Sequence, residues 1–147
     1  MVSKQALSFG NKIFIDTSAW ISYFGSDQPK HINIKSLIKQ FTKDGVVIST
    51  SNDVIDETVT RLIYDTNIKI VKKFTNLIRN SIKHNSLVQL WVDEQIQGEA
   101  FEIVDKFSEH KLSLTDATSI VLINRFNIDT VISLDSDFKK VGIKTLP

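Results

Sequence analysis

The chain has 147 residues, 41% of them hydrophobic, and a formal net charge of +1, which together indicate one ordinary globular domain over residues 1–147. It contains no Cys, so disulfides, thiol nucleophiles and thiolate metal sites are excluded. Its three histidines, His31, His84 and His110, form no pair at zinc-binding spacing. No apolar run approaches the roughly 20 residues of a membrane helix, so we expect a soluble cytoplasmic protein without a membrane segment.

The first third of the chain has apolar runs and turn residues that are typical of alternating strands and helices. Residues 12–16 predict a short buried strand, residues 17–24 predict a helix, and residues 46–49 predict a second strand. Between them, a helix that stops at Gly45 is predicted by apolar residues at helical spacing, namely Ile34, Leu37, Ile38 and Phe41.

Two helices follow, and the second is basic. Ser51 or Asn52 is positioned to cap the first, whose predicted apolar side carries Val54, Ile55, Val59, Leu62 and Ile63. Residues 66–92 contain no acid, and as a helix they place Ile70, Phe74, Leu77, Ile78 and Ile82 on one face. The simplest interpretation of the opposite, basic face is a solvated helix surface. The alternative is a contact for RNA or for a partner protein, with Lys69, Lys72 and Lys73 as the candidates.

The second half of the chain continues the alternation of strands and helices. Strands are predicted at residues 86–92, 130–134 and 144–146, and a short turn of helix at residues 136–140. Two longer helices lie between the first two of these strands, one beginning at Asp93 or Glu94 and one near Ser113 or Thr115. The pattern predicts an α/β fold with three layers, α/β/α, around a central, mostly parallel sheet of four to five strands.

Four acids occupy positions that such a fold brings to one edge of the sheet. Asp16 and Asp135 directly follow predicted strands, and Glu57 and Asp116 lie near the starts of predicted helices on the same side. Each acid alone has an ordinary explanation as a helix cap, a first-turn acid or a turn residue. Together, four carboxylates would repel one another and raise each other's pKa, and a divalent cation that prefers oxygen ligands is the simplest way to neutralise them.

Four segments that carry these acids resemble the PIN-domain family, specifically the VapC-type ribonuclease toxins. They are FIDTSAWI at residues 14–21, DVIDETVTRL at 53–62, LSLTDATSIVL at 112–122 and VISLDSDFKKVGIKTLP at 131–147. The resemblance implies that Asp16, Glu57, Asp116 and Asp135 are the site acids. It also implies that Ser18 and Ser133 are supporting hydroxyls, that Asp137 shares or replaces the role of Asp135, and that Asp53 and Asp56 compete with Glu57 for its position.

The resemblance implies a metal-dependent endoribonuclease. Mg²⁺, or Mn²⁺ in its place, would be held mainly by Asp16 and Asp116, with Asp135 adjoining. Glu57 would bind the metal through water or orient the attacking water. Hydrolysis by water leaves 5′-phosphate and 3′-hydroxyl ends. The implied partners are an RNA substrate, a small antitoxin and a second copy in a homodimer. Trp20 is a candidate for a partner interface and equally for the core.

Two other functions compete with this hypothesis. A phosphotransfer domain needs a further acid near Asp16, but Thr17 and Ser18 occupy those positions. The second alternative is a catalytically silent PIN-like scaffold that binds RNA or protein. The presence of all four acids favours the enzyme.

Overall fold

In the part of the chain that the structure describes, five parallel strands form a single sheet in the order β3-β2-β1-β4-β5. The structure is a computed structural model that describes residues 12–25 and 30–147. In the sheet, Ile13 of β1 is paired with Ile48 of β2 on one side and with Thr130 of β4 on the other. The strands are β1 (Lys12–Ile15), β2 (Val47–Ser51), β3 (Val88–Leu90), β4 (Thr130–Ile132) and β5 (Thr145–Leu146).

Seven helices and a short 3₁₀ turn at Ser108–His110 connect the strands within these described ranges. None of the helices is both long and apolar enough to cross a membrane. The helices are α1 (Thr17–Phe24), α2 (His31–Lys43), α3 (Asn52–Asp65), α4 (Ile68–Lys83), α5 (Glu94–Lys106), α6 (Leu114–Arg125) and α7 (Asp137–Lys140).

The central strand β1 shows why the fold has three layers. Ile13, Phe14 and Ile15 are all completely buried, and successive strand residues point to opposite faces of the sheet. Both faces are therefore covered, as is usual for a parallel sheet. The predicted three-layer α/β/α fold is confirmed, and all the strand pairs are parallel.

Helices α3 and α5 begin with side-chain caps close to the carboxyl ends of the strands that precede them. The Ser51 hydroxyl accepts a hydrogen bond from the Val54 amide (3.1 Å), so Ser51 rather than Asn52 caps α3. The Asp93 carboxylate caps α5 in the same way, through the amide of Ile96. These caps fix where each helix starts relative to the sheet.

Some sequence-based details are wrong at the level of single residues. Ile63, expected on the apolar side of α3, is 57% exposed. In α4 the fully packed face is formed by Val71, Phe74 and Ile78, whereas the other residues predicted for that face are only partly buried. The predicted strand at 86–92 is shorter, Val88–Leu90, because it lies at the edge of the sheet and pairs only with β2.

Trp20 belongs to the core and not to an exposed interface. Its side chain is 3% exposed, its ring packs edge-on against Phe74 with the centroids 5.6 Å apart, and its indole N–H donates to the Thr50 hydroxyl (3.2 Å). A buried indole with a satisfied N–H is a packing residue.

Candidate active site

Asp16 is the most deeply buried acid at the carboxyl edge of the sheet. It directly follows β1, its backbone amide donates to the Ile132 carbonyl (3.1 Å), and its side chain is only 3% exposed. Two hydroxyls donate to the same carboxylate oxygen, Ser133 Oγ at 2.9 Å and Ser18 Oγ at 3.0 Å. Burial raises the pKa of Asp16, and these hydrogen bonds offset part of that effect.

The same two hydroxyls also hold the loop that follows β4. Ser18 Oγ accepts from the amide of Leu134 (2.9 Å), and Ser133 Oγ accepts from the amide of Asp135 (3.0 Å). Each hydroxyl therefore donates its hydrogen to the Asp16 carboxylate and accepts a hydrogen bond from a backbone amide of the loop. The position of Asp135 is in this way tied to that of Asp16.

Asp116 combines a structural and an electrostatic role at the start of α6. Its amide donates to Ser113 Oγ (3.0 Å) and its carboxylate accepts from the Ser113 amide (3.1 Å), which together form a capping box. The pKa of Asp116 is raised to about 6, chiefly because burial disfavours the charged form and also because Asp16 and Asp135 add negative charge nearby.

Three carboxylates converge beside Asp16. Among the described residues, Asp116, Asp135 and Asp137 each offer an oxygen, and these oxygens lie within 4.8 Å of one another. Asp137 is oriented by its amide, which donates to Asp135 Oδ1 (2.9 Å), and its carboxylate accepts from Lys140 Nζ (3.0 Å). Asp135 and Asp137 thus lie at the site together. Asp16 is outside this three-oxygen group, although its charge still acts on Asp116.

Glu57 lies near Asp16 but outside the three-oxygen group. It is in the second turn of α3, slightly further into the helix than expected, and its carboxylate accepts from Thr17 Oγ1 (3.2 Å). Since Thr17 is next to Asp16 in the chain, this bond places Glu57 on the same side of the sheet. Asp56, its neighbour in the sequence, is exposed.

Asp53 has a different role, connecting two helices. Its carboxylate accepts from the hydroxyl of Thr118 (2.9 Å), a completely buried residue of α6. This bond joins the first turn of α3 to the first turns of α6, two residues after Asp116. No local sequence signal predicts the hydrogen bond between Asp53 and Thr118, because the two residues are 65 positions apart.

The remaining sequence candidates lie on α4. Lys69, Lys72 and Lys73 are exposed, whereas Val71 and Phe74 of the same helix are buried. The structure therefore places these three lysines on the solvent side of the helix, where they are accessible to RNA or to a partner.

Comparison with known families identifies the fold and the class of site. Residues 13–144 match the PIN domain, which is nearly the whole described chain. The chain belongs to the PIN-domain family. The predicted family is therefore confirmed.

Known relatives of this PIN domain are VapC proteins. The 23S rRNA-specific endonuclease VapC20 of Mycobacterium tuberculosis is 27% identical over 131 residues, which cover 88% of this chain and 94% of VapC20. A crystal structure of VapC20, described as a sarcin-ricin loop cleaving toxin, has a TM-score of 0.75 at 24% identity, over 89% of this chain and 95% of that chain.

A second solved structure is more distant and supports the fold alone. It is VapBC2 from Rickettsia felis bound to a DNA fragment from its promoter, with a TM-score of 0.58 at 14% identity. The match covers 91% of this chain and 96% of that chain. The family and the VapC relatives confirm the resemblance to VapC-type PIN toxins and the predicted activity, a ribonuclease that hydrolyses phosphodiester bonds.

The acids of this PIN domain suit the divalent metal on which nucleases of the family depend. The three converging side chains offer only carboxylate oxygens, which hard divalent cations prefer. In addition, the pKa of Asp116 is raised, chiefly by burial and to a smaller extent by the charges of Asp16 and Asp135, so its ionised form is disfavoured without a cation. A bound cation would stabilise that ionised form.

Proposed function

We propose that this ribonuclease cuts RNA with Asp16, Glu57, Asp116 and Asp135 as its catalytic acids, and that Mg²⁺ is its metal, with Mn²⁺ as a substitute. The observation that carries the proposal is the group of carboxylate oxygens from Asp116, Asp135 and Asp137 within 4.8 Å of one another. Mg²⁺ binds one or two carboxylates directly and keeps several waters, so the remaining acids would bind through water.

Each residue has a role that follows from its contacts. Asp116 and Asp135 would hold the cation together with Asp137, and Asp16, whose orientation Ser18 and Ser133 fix, would add its charge to the same site. Thr17 would hold the Glu57 carboxylate so that it orients a water molecule for attack on the phosphorus. When bound, the cation supplies positive charge to the phosphate oxygens and acidity to water. The products would have 5′-phosphate and 3′-hydroxyl ends.

The proposed substrate is a loop of structured ribosomal RNA. VapC20, which matches this chain over most of its length, is named for cleavage of 23S rRNA. Looped RNA presents unpaired bases and a bent backbone, which is how proteins usually recognise particular RNA sites. Lys69, Lys72 and Lys73 on α4 are the proposed contacts for the surrounding phosphates, with a partner protein as the alternative ligand of this surface.

The proposed protein partners are a small antitoxin and a second copy of this chain. The antitoxin is supported by the VapBC2 structure, since one chain of that structure has the same fold as this chain. An antitoxin gene beside the gene for this chain, with co-purification of the two products, would support the pairing. Light scattering of the purified chain would test the homodimer, and a single-chain mass would contradict it.

The catalytic assignment is tested with Asp116→Asn and Asp16→Asn, and with Asp56→Asn as a matched control. We expect the first two variants to lose more than about 100-fold in metal-dependent cleavage of ribosomal RNA, because each removes a charged ligand. Asp56 is an exposed acid of α3, so its substitution should leave the rate within about two-fold. Folding of each variant is checked by its melting temperature.

The same cleavage assay can contradict the proposal. Unchanged cleavage by both site variants would show that these acids are not part of the mechanism. Cleavage that persists in EDTA would show that the reaction does not depend on a divalent metal. Products that end in a 2′,3′-cyclic phosphate would show that a ribose hydroxyl, and not water, attacks the phosphorus.

A further inference from the structure

Lys140 brings a positive charge into contact with the acids. Its Nζ atom donates to Asp137 Oδ1 at 3.0 Å, and Asp137 in turn belongs to the three-oxygen group. The Lys140 side chain is 49% exposed and that of Asp137 is 22% exposed. Lys140 is therefore the more exposed partner of this pair, and a substrate that approaches the acids from solvent can reach it.

The short helix α7 fixes this geometry from the core. Phe138, between the two residues, is 1% exposed and anchors the helix in the core. The Lys140 amide donates to the Ser136 carbonyl (3.2 Å), and the Asp137 amide donates to Asp135 Oδ1 (2.9 Å). Residues three positions apart on a helix lie on the same face, so Lys140 is held over Asp137.

The charge of the site creates a difficulty for an RNA substrate. Five acids, Asp16, Glu57, Asp116, Asp135 and Asp137, carry five negative charges when all are ionised, and one divalent cation leaves three of them unbalanced. A phosphodiester is itself negative, so its approach would be opposed. A lysine beside the acids would reduce this repulsion, and its flexible side chain can follow the phosphate.

We propose that Lys140 is a substrate-contacting residue that pairs with Asp137 in the free enzyme and with an RNA phosphate next to the cleaved bond in the complex. This inference rests on the proposed function of the acids. Lys140 then has opposing effects on cation binding and on RNA binding. In the free enzyme its charge competes with the divalent cation for Asp137, and in the complex its charge attracts the RNA.

The test is Lys140→Met, with Lys139→Met as the matched control and Lys140→Arg as the conservative variant. Lys139 is the neighbouring exposed lysine on the same helix. Two quantities are measured on the purified proteins. The first is the dissociation constant of Mn²⁺ without RNA, by calorimetry, and the second is KM for an rRNA fragment over a range of salt concentrations.

We expect Lys140→Met to bind Mn²⁺ a few-fold more tightly and to raise KM about 10-fold at moderate salt. Loss of one phosphate contact should also lower the slope of log KM against log salt by about 0.7–1. Lys140→Arg should restore KM, because its guanidinium keeps the charge. Lys139→Met should change both constants less than two-fold.

Three outcomes would overturn the inference. If Lys140→Met weakens both Mn²⁺ and RNA, the lysine supports the fold of the site and does not contact substrate. If Lys140→Met changes the Mn²⁺ dissociation constant and KM as little as Lys139→Met does, the pair of Lys140 with Asp137 is an ordinary surface ion pair. If KM rises without a change in salt slope, no phosphate contact has been lost. Wild type and Asp116→Asn are measured in the same assay. Equal cleavage by these two proteins would contradict the proposed function itself, and not only the role of Lys140.

Discussion

At the scale of single residues, the acids at the site are kept in an unfavourable state when no metal is bound. Asp16 is almost fully buried, and the hydrogen bonds that its carboxylate accepts, from the Ser18 and Ser133 hydroxyls and from backbone amides, offset only part of the cost of burial. Asp116 is partly buried near the charges of Asp16 and Asp135. Proteins often accept such a cost where a group is needed for chemistry, since burial and like charges raise pKa values in the way that ligand sites require.

The raised pKa of Asp116 predicts how stability depends on pH without divalent ions. The pKa is about 6 in the folded protein and 3.8 as the ordinary value, so between these values the folded form binds the proton more tightly than the unfolded chain. The free energy of unfolding should therefore fall as the pH rises through this window. In EDTA, the melting temperature of wild type should drop more between about pH 4 and about pH 7 than that of Asp116→Asn.

Asp16, whose pKa is also raised, contributes in the same direction in both proteins, so the difference between the two melting curves reports Asp116 together with its interaction with Asp16. The exposed Asp56→Asn variant should follow wild type. Parallel curves for wild type and Asp116→Asn would mean that Asp116 titrates in the folded protein as an ordinary acid.

At the scale of elements, the site depends on where α3 and α6 begin. Ser51 caps α3 and Ser113 caps α6, while the hydrogen bond from Thr118 to Asp53 joins the two helices. Glu57 is one turn further along α3 than Asp53, and Asp116 is two residues before Thr118. The Thr118 hydroxyl also lies 3.1 Å from the Thr115 carbonyl of its own helix, and its bond to Asp53 joins the parts of α3 and α6 that carry two of the proposed catalytic acids.

Removal of this interhelical bond should disturb the metal site. Thr118→Val removes the hydroxyl but keeps the shape, and we expect a loss of about 1 kcal/mol in stability together with a several-fold higher Mn²⁺ concentration for half-maximal activity. Thr58→Val is the matched control. Thr58 is also a completely buried helical threonine, but within the part of the chain that the structure describes its hydroxyl bonds only to the Val54 carbonyl of its own helix.

The two variants are compared by titrating their cleavage activity with Mn²⁺ and by measuring their melting curves. We expect Thr58→Val to lose comparable stability and to keep the wild-type metal dependence. Equal metal dependence in all three proteins would show that packing alone positions α3 against α6. Thr118→Ser, which keeps the hydroxyl, should behave like wild type.

At the scale of the whole molecule, metal binding and folding should be coupled. Ser133 and Asp16 touch although they are 117 positions apart, so the site exists only when β1 and β4 are side by side. A cation that binds only the folded chain stabilises it by about 2.7 kcal/mol at about a hundred times its dissociation constant. Mn²⁺ should therefore raise the melting temperature by roughly 5–10 °C, and EDTA should reverse the shift.

The melting temperature of Asp116→Asn is the internal control for this shift. The variant should lose most of the Mn²⁺ effect, since it lacks a proposed ligand, while Asp56→Asn should keep it. An equal shift in Asp116→Asn would place the stabilising cation elsewhere on the molecule.

Much of the fold could be predicted from local patterns. The apolar run at Ile13, Phe14 and Ile15 is buried as expected, and the caps at Asp93 and Ser113 lie where polar residues precede apolar helices. The errors occur where local patterns do not determine burial. Ile63 is apolar and in phase with its helix, yet it lies beyond the reach of the core and is exposed.

The sequence by itself determined the alternation of strands and helices and the family, because hydrophobic period, caps and motif spacing are local properties of the chain. It also located the four acids at strand ends and helix starts. Only the tertiary structure decided that Asp135 and Asp137 lie at the site together, that Thr17 holds Glu57 and Asp53 holds Thr118, and that Lys140 contacts Asp137. The physical reason is that hydrogen bonds and charge interactions act over a few ångströms in space, whatever the separation of the residues along the chain.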